Sequence, residues 1–163
     1  MITNTILQGH VLDKLRELPA ESIDCVITSP PYFQLRAYST EPQDWGDWKG
    51  ELGLEPSPDL FVKHLCDVFD EVKRVLKPSG TCFVNLGDSY SGSGKGVGGS
   101  GQKESFVFSE RPMVDEGIPS KCLVQIPSRF ALEMTSPKYI LREDLTFEEK
   151  SFVIGELVKR GII

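Results

Sequence analysis

Two kinds of hydrophobic pattern open the chain. The apolar positions of residues 11–18 share one helical face, and Pro19 stops that helix. Residues 23–28 then form a short, β-branched, nearly continuous apolar run. Such a run predicts a strand in a sheet that is covered on both faces.

The longest predicted helix covers residues 57–76. Ser57 can cap it, Pro58 suits its first turn, and its apolar positions form one stripe up to the stop at residues 77–80. A second strand is predicted at residues 81–86. The order helix, strand, helix, strand predicts an α/β fold with a parallel sheet, in which ligands bind at the carboxyl ends of the strands.

The remainder divides into a loop and two short helices. Residues 91–101 read SGSGKGVGGSG, so a flexible Gly-rich loop is predicted at about 91–120. Order is expected to resume at Lys121, with a short helix from Ser128. A capping box of Thr146 and Glu149 begins the last helix. We interpret residues 1–163 as a single, partial catalytic domain.

Composition narrows the class of protein. The 163 residues are 39% hydrophobic and 26% charged, which is typical of soluble globular chains, and neither a membrane span nor a signal peptide is evident. We expect a cytoplasmic protein. The four cysteines are spread singly, which argues against a metal site or a disulfide framework. Cys25 and Cys82 lie in the predicted strands and are expected to be buried.

Charge gives little support for binding nucleic acid over the whole surface. The net charge is −6, whereas phosphate attraction needs clustered Lys and Arg. Residues 91–142 carry seven basic and five acidic residues, a balance of +2. This local excess is compatible with a loop that faces DNA.

The most informative stretch follows the first strand. Pro30 and Pro31 stiffen the backbone and have no N–H, so the turn presents carbonyl acceptors and few donors. With the Ser29 hydroxyl, these acceptors suit a group that donates two hydrogens, such as an exocyclic amine. Tyr32 adds a face on which a planar ring can stack. The alternative is a proline-rich turn with Tyr32 as a wall of the core.

The segment Ile27–Tyr32 resembles the catalytic motif of the DNA amino-methyltransferases, which methylate cytosine N4 or adenine N6. Thr-Ser before the prolines is typical of the cytosine-N4 group. Further segments are similar to landmarks of that family, and the resemblance covers about residues 5–142. These segments are Leu7–Leu12, Leu76–Thr81, Asn85–Tyr90 and Ile126–Arg129.

The resemblance implies a Rossmann-like, S-adenosylmethionine-dependent methyltransferase sheet, incomplete in this chain. It implies double-stranded DNA with a flipped target base as the substrate, in a restriction-modification or phage context. Ser29 and Pro30 would bind the target amine, Pro31 would shape the turn and Tyr32 would stack on the base. No metal is implied.

The cofactor site departs from the family pattern. His10 stands where relatives usually carry an acid, so cofactor binding there is in doubt and a plain strand-end residue is favoured. The family's Asp-Pro-Phe-x-Gly-x-Gly loop is not found after Arg142. The segment Asp88–Gly94 is a candidate substitute, although the glycines after Lys95 are poor helix formers. A C-terminal partner chain or further segment is the other expected source.

Several alternatives stay open. Trp45 and Trp48 either cover a flipped base or contact DNA, or else anchor a long loop to the core. The chain is a cytosine-N4 enzyme, an adenine-N6 enzyme, or a non-catalytic, truncated or split subunit that binds DNA or a partner chain. A nucleotide-binding protein that uses the glycine stretch is a further alternative.

Overall fold

The structure is a computed structural model, which describes residues 4–91, 117–136 and 146–159. Most of the predicted Gly-rich loop, including Gly92–Gly94 of the candidate cofactor segment, lies outside these ranges.

Two helices form around the first strand much as predicted. Helix α1 spans Val11–Arg16 and helix α2 spans Pro58–Val75. The Ser57 hydroxyl accepts the Leu60 N–H at 3.1 Å, which satisfies one of the free donors at the start of α2. These observations confirm the helix predictions.

A parallel pair of strands lies beside these helices. Strand β1 (Ile23–Thr28) pairs with β4 (Leu76–Val84), and Ile27 lies opposite Phe83. Strand β4 starts directly after α2, five residues earlier than predicted. The reason is an irregularity in register between Ile23 and Cys25, which accommodates residues 77–80 within the pair. The described part of the chain therefore has an α/β arrangement with two parallel strands, as predicted.

The other elements are small. Strands β2 (Gln43–Asp44) and β3 (Lys49–Gly50) form an antiparallel hairpin in the loop between β1 and α2. Helix α3 spans Ile126–Thr135 and therefore begins two residues before the predicted start. Helix α4 spans Phe147–Lys159, and its capping box is confirmed by hydrogen bonds in both directions between Thr146 and Glu149.

The core lies between α2, α3 and one face of the sheet. Phe61, Leu65 and Ile126 are fully buried in it, and Val26 and Val84 pack against it from the strands. Within the described residues, no helix is long and apolar enough to cross a membrane.

The opposite face of the sheet is bare in the described part of the chain. Ile27 is 80% and Phe83 61% exposed, and Cys25, which shares their face, is also exposed. Cys82 is paired with Val26 on the other face and is exposed as well. The expectations that both faces are covered and that these two cysteines are buried are therefore wrong here. The physical reason for Cys25 is that the described helices cover only the face that carries Val26, whereas Cys82 lies on that face but outside the part that they cover.

Candidate active site

The two candidate segments meet at the carboxyl ends of β1 and β4. Thr28 and Val84 are paired, and the Asn85 N–H donates to the Thr28 carbonyl at 2.9 Å. The Ser-Pro-Pro-Tyr turn leaves one strand, and the Gly-Asp-Ser-Tyr segment leaves the other. The predicted arrangement at one edge of the sheet is confirmed.

Tyr32 lies against the backbone of Gly87. A Cβ atom at Gly87 would come within 2.5 Å of Tyr32 Cε2 and 2.6 Å of Cδ2. No side chain fits beneath the ring, so glycine is required for this close approach. This role of Gly87 was not predicted from the sequence. The position of a glycine directly after the second predicted strand could have indicated it.

Gly53 supports the turn from another side. It has φ +93, and a Cβ atom there would lie 3.0 Å from the Tyr32 carbonyl oxygen and 3.1 Å from Pro31 Cβ. Its own carbonyl accepts the Gln34 N–H at 2.6 Å. The Pro31–Tyr32 turn is therefore held between two glycines that come from different segments.

Phe33 anchors the Ser-Pro-Pro-Tyr turn to the core, whereas Ser29 at the start of the turn is exposed. Phe33 is buried and packs on Phe61, with 5.5 Å between ring centroids. The Ser89 hydroxyl donates to the Phe33 carbonyl at 3.1 Å. Ser29 is exposed, whereas Pro30 is half-buried. The Ser29 hydroxyl is therefore accessible to a ligand above the anchored turn.

Asp88 is already engaged by the protein backbone. Its Oδ1 accepts the N–H groups of Ser89 at 2.8 Å and Ile126 at 3.1 Å, and its Oδ2 accepts that of Gln125 at 3.1 Å. The carboxylate thus satisfies free donors at the start of α3, which also suits the positive end of the helix dipole. This arrangement favours a capping role, and it does not fit the carboxylate as a dedicated cofactor ligand.

His10 is the N-cap residue of α1 rather than a strand-end residue, because the preceding described residues form no strand. Its ring meets Trp45 edge-on, with 4.7 Å between centroids. Its buried Nε2 has no hydrogen-bond partner among the described residues. His10 therefore keeps one nitrogen with which a ligand could bond.

A buried histidine, which sequence reasoning missed, organises the loop before α2. His64 is fully buried, with Nδ1 3.0 Å from Glu55 Oε1 and Nε2 2.8 Å from Asp47 Oδ1. Trp45 and Trp48 stack on its ring, with centroids 5.0 and 6.0 Å away. Of the two alternatives for the tryptophans, these contacts favour loop anchoring. The available signal was a histidine within the apolar stripe of α2.

The pKa values of the two carboxylates in this network are shifted in opposite directions. Burial raises the pKa of Glu55, although its hydrogen bond with His64 opposes the rise. Asp47 is exposed to solvent, and its hydrogen bonds with His64 and Lys63 lower its pKa to about 2. Asp47 is therefore ionised at neutral pH.

Acidic residues of this loop bond to other groups of the protein. The Glu51 carboxylate accepts the N–H groups of Tyr38 at 2.7 Å and Thr40 at 2.9 Å, and Asp47 pairs with Lys63 at 2.9 Å. Across residues 4–91, 117–136 and 146–159, no group of three potential ligands could hold a metal ion.

Comparison with known proteins identifies the family of the chain. The sequence profile of a family described as DNA methylase matches residues 23–160. The type II methyltransferase M.Cfr9I of Citrobacter freundii is 36% identical over 146 residues, which are 89% of this chain and 46% of the relative. M.SmaI of Serratia marcescens is 33% identical over 145 residues, 88% of this chain and 47% of the relative.

A further relative belongs to a different named class. The DNA adenine methyltransferase YhdJ of Escherichia coli is 31% identical over 80 residues, 49% of this chain and 24% of the relative. The chain thus spans about half the length, or less, of these curated relatives. The family profile covers most of the chain, including the Ser-Pro-Pro-Tyr turn and the strand end beside it, and the chain belongs to the DNA methylase family.

Proposed function

We propose that this chain carries the target-base site of an S-adenosylmethionine-dependent DNA methyltransferase with a Rossmann-like sheet. The reaction transfers a methyl group to the exocyclic amine of a flipped base in double-stranded DNA, in a restriction-modification or phage context. One observation carries the proposal: the Tyr32 ring lies over Gly87 beside a rigid Ser-Pro-Pro turn at the carboxyl end of β1.

The chemistry of the turn suits an amine. The lone pair of a base amine is delocalised into the ring, so the amine is a poor nucleophile. The Ser29 hydroxyl and the Pro30 carbonyl accept its two hydrogens, which moves the nitrogen toward tetrahedral geometry and frees the lone pair. Tyr32 stacks on the base, and Pro31 fixes the turn. S-adenosylmethionine supplies the electrophilic methyl group when it is bound.

Cytosine N4 is the preferred target, because Thr28-Ser29 precedes the prolines. Adenine N6 is the alternative, which the partial similarity to the adenine methyltransferase of E. coli favours. Both amines are flat, conjugated and able to donate two hydrogens. The same turn can therefore serve either base.

The cofactor contacts are proposed at His10 and Asp88, or on a C-terminal segment or partner chain. The buried, unpartnered Nε2 supports His10, whereas the backbone bonds of Asp88 weigh against a direct role for that residue. A split arrangement, with the cofactor site on a second polypeptide, is supported by the exposed Ile27 and Phe83 on the bare face of the sheet.

The first test is calorimetric titration of the chain with S-adenosylmethionine. Radiolabelled methyl transfer to unmethylated DNA follows, with the chain alone and with the C-terminal half of the M.Cfr9I relative added. Separation of the digested nucleosides distinguishes N4-methyldeoxycytidine from N6-methyldeoxyadenosine. Absence of transfer under both conditions, with a folded chain, contradicts the proposal.

Two variants test the site residues in that assay. Ser29→Ala removes one acceptor and should slow transfer about a hundredfold, the usual scale for one preorganised polar contact. Tyr32→Ala removes stacking worth about 1–3 kcal/mol per base. The exposed residues Ser79 and Tyr38, changed to alanine, are the matched controls. Full activity in either site variant rejects the assignment.

A further inference from the structure

Glu55 is a buried carboxylate with two assigned partners. Its side chain is fully buried, and its Oε2 accepts the Gly53 N–H at 2.8 Å. Its Oε1 lies 3.0 Å from His64 Nδ1. A buried carboxylate is costly unless such partners satisfy it, so its position depends on both of them.

Gly53 transmits that position to the Pro31–Tyr32 turn. The Gly53 carbonyl accepts the Gln34 N–H at 2.6 Å, and Gln34 Nε2 donates to the Glu55 carbonyl at 3.3 Å. Gly53 also touches the Tyr32 carbonyl and the Pro31 ring so closely that no Cβ atom fits without displacing them. A shift of Glu55 therefore moves the support of a turn whose two prolines make it stiff.

The ring of His64 is held by contacts with three residues of the loop before α2, in addition to Glu55. This residue belongs to α2, its Nε2 bonds to Asp47 at 2.8 Å, and the rings of Trp45 and Trp48 stack on it. The hydrogen bond with His64 also opposes the rise that burial causes in the pKa of Glu55. The histidine thus favours the ionised carboxylate, which accepts the Gly53 N–H more strongly.

We propose that Glu55 and His64 are positioning residues for methyl transfer, because through Gly53 they set the location of the Tyr32 ring over Gly87. This inference rests on the proposed function. It goes beyond that function by assigning a role to two buried residues that do not touch the base.

The test combines an activity measurement with a structural readout. In NMR spectra of the chain, the Tyr32 ring current shifts the Hα resonances of Gly87, and this shift reports the ring's location without any catalysis. Glu55→Leu and His64→Phe should both change that shift. In the methylation assay with the C-terminal half of M.Cfr9I added, both variants should have a kcat about a hundredfold lower, the scale for a displacement of about 1 Å. Their affinity for S-adenosylmethionine should be unchanged.

Glu55→Gln is the rescuing variant. Its amide oxygen can accept the Gly53 N–H, and its NH2 can donate to His64 Nδ1 while Nε2–H donates to Asp47. It should therefore keep the wild-type Gly87 shift. Val72→Ala controls for a general loss of stability, since Val72 is buried on α2 about 12 Å along the helix from His64. It should also keep the shift.

The outcomes separate the two proposals. An unchanged Gly87 shift in Glu55→Leu overturns the positioning role, as does loss of the shift in Val72→Ala. If Glu55→Leu does not fold, Glu55→Asp decides, because it keeps the charge but shortens the side chain by one methylene. If the wild-type chain transfers no methyl group, the proposed function fails while the NMR comparison still decides the positioning role.

Discussion

Gly87→Ala is the most direct perturbation of the candidate site. Gly87 does not adopt a left-handed φ, so its backbone accepts alanine, and the three atoms nearest to the new methyl group all belong to the Tyr32 ring. Its Cβ would lie 2.5 Å from Tyr32 Cε2, whereas carbon atoms pack at about 3.5–4.0 Å. The ring must therefore retreat by roughly 1 Å.

A retreat of that size has a predictable cost. Misplacement by about 1 Å slows a reaction about a hundredfold, which corresponds to about 2.7 kcal/mol in the activation barrier. We expect this loss in kcat for methyl transfer, with little change in the affinity for S-adenosylmethionine. The assay is radiolabelled methyl incorporation at saturating cofactor, with circular dichroism to show that the variant is folded.

Gly155→Ala is the matched control. Gly155 lies in α4, nothing is found within 4 Å of a Cβ atom there, and alanine is favoured over glycine in a helix by about 1 kcal/mol. Its kcat should equal that of the wild type. A folded Gly87→Ala variant that also keeps the wild-type kcat refutes the role of the Tyr32 ring at Gly87.

Two further predictions concern Asp88 and Asp47. Asp88→Ala removes the acceptor of the N–H groups that begin α3. It should lower the free energy of unfolding by about 1 kcal/mol, measured as a lower urea midpoint. Weaker cofactor binding at unchanged stability would instead indicate that Asp88 is a cofactor ligand. The pKa of Asp47 falls from 3.8 to about 2 on folding, through hydrogen bonds with His64 and Lys63. A lowered pKa adds stability that is present above pH 3.8 and disappears as the pH falls through about 2. In Asp47→Asn, the free energy of unfolding should therefore fall less steeply between those pH values than in the wild type. An equally steep fall contradicts the pairing.

The sequence predicted correctly those features that depend on residues close together along the chain. The Ser57 cap and the Thr146 capping box are contacts within one turn of helix, so residue spacing predicts them. The location of Ser29–Tyr32 at a strand end follows from its direct connection to β1. The α/β order could therefore be predicted, and with it the meeting of two strand ends.

Contacts between distant segments were not predictable in this way. Gly87 beneath Tyr32, and Glu55 beside His64, depend on how strands and loops pack laterally. The start of β4 was missed because Pro78 argues against a strand, yet the irregular register accommodates it. Cys25 was expected to be buried from its apolar neighbours, but its burial depends on what covers the second face of the sheet.

The direct passage from α2 into β4 has a consequence for local opening. Helix α2 ends at Val75 and strand β4 begins at Leu76, so no loop separates them that could act as a hinge. Helix and strand should then exchange their amide hydrogens as one cooperative unit rather than fray separately. Because His64 lies on that helix and Gly87 follows that strand, the contact of His64 with Glu55 and the contact of Gly87 with the Tyr32 ring should be lost together when the unit opens.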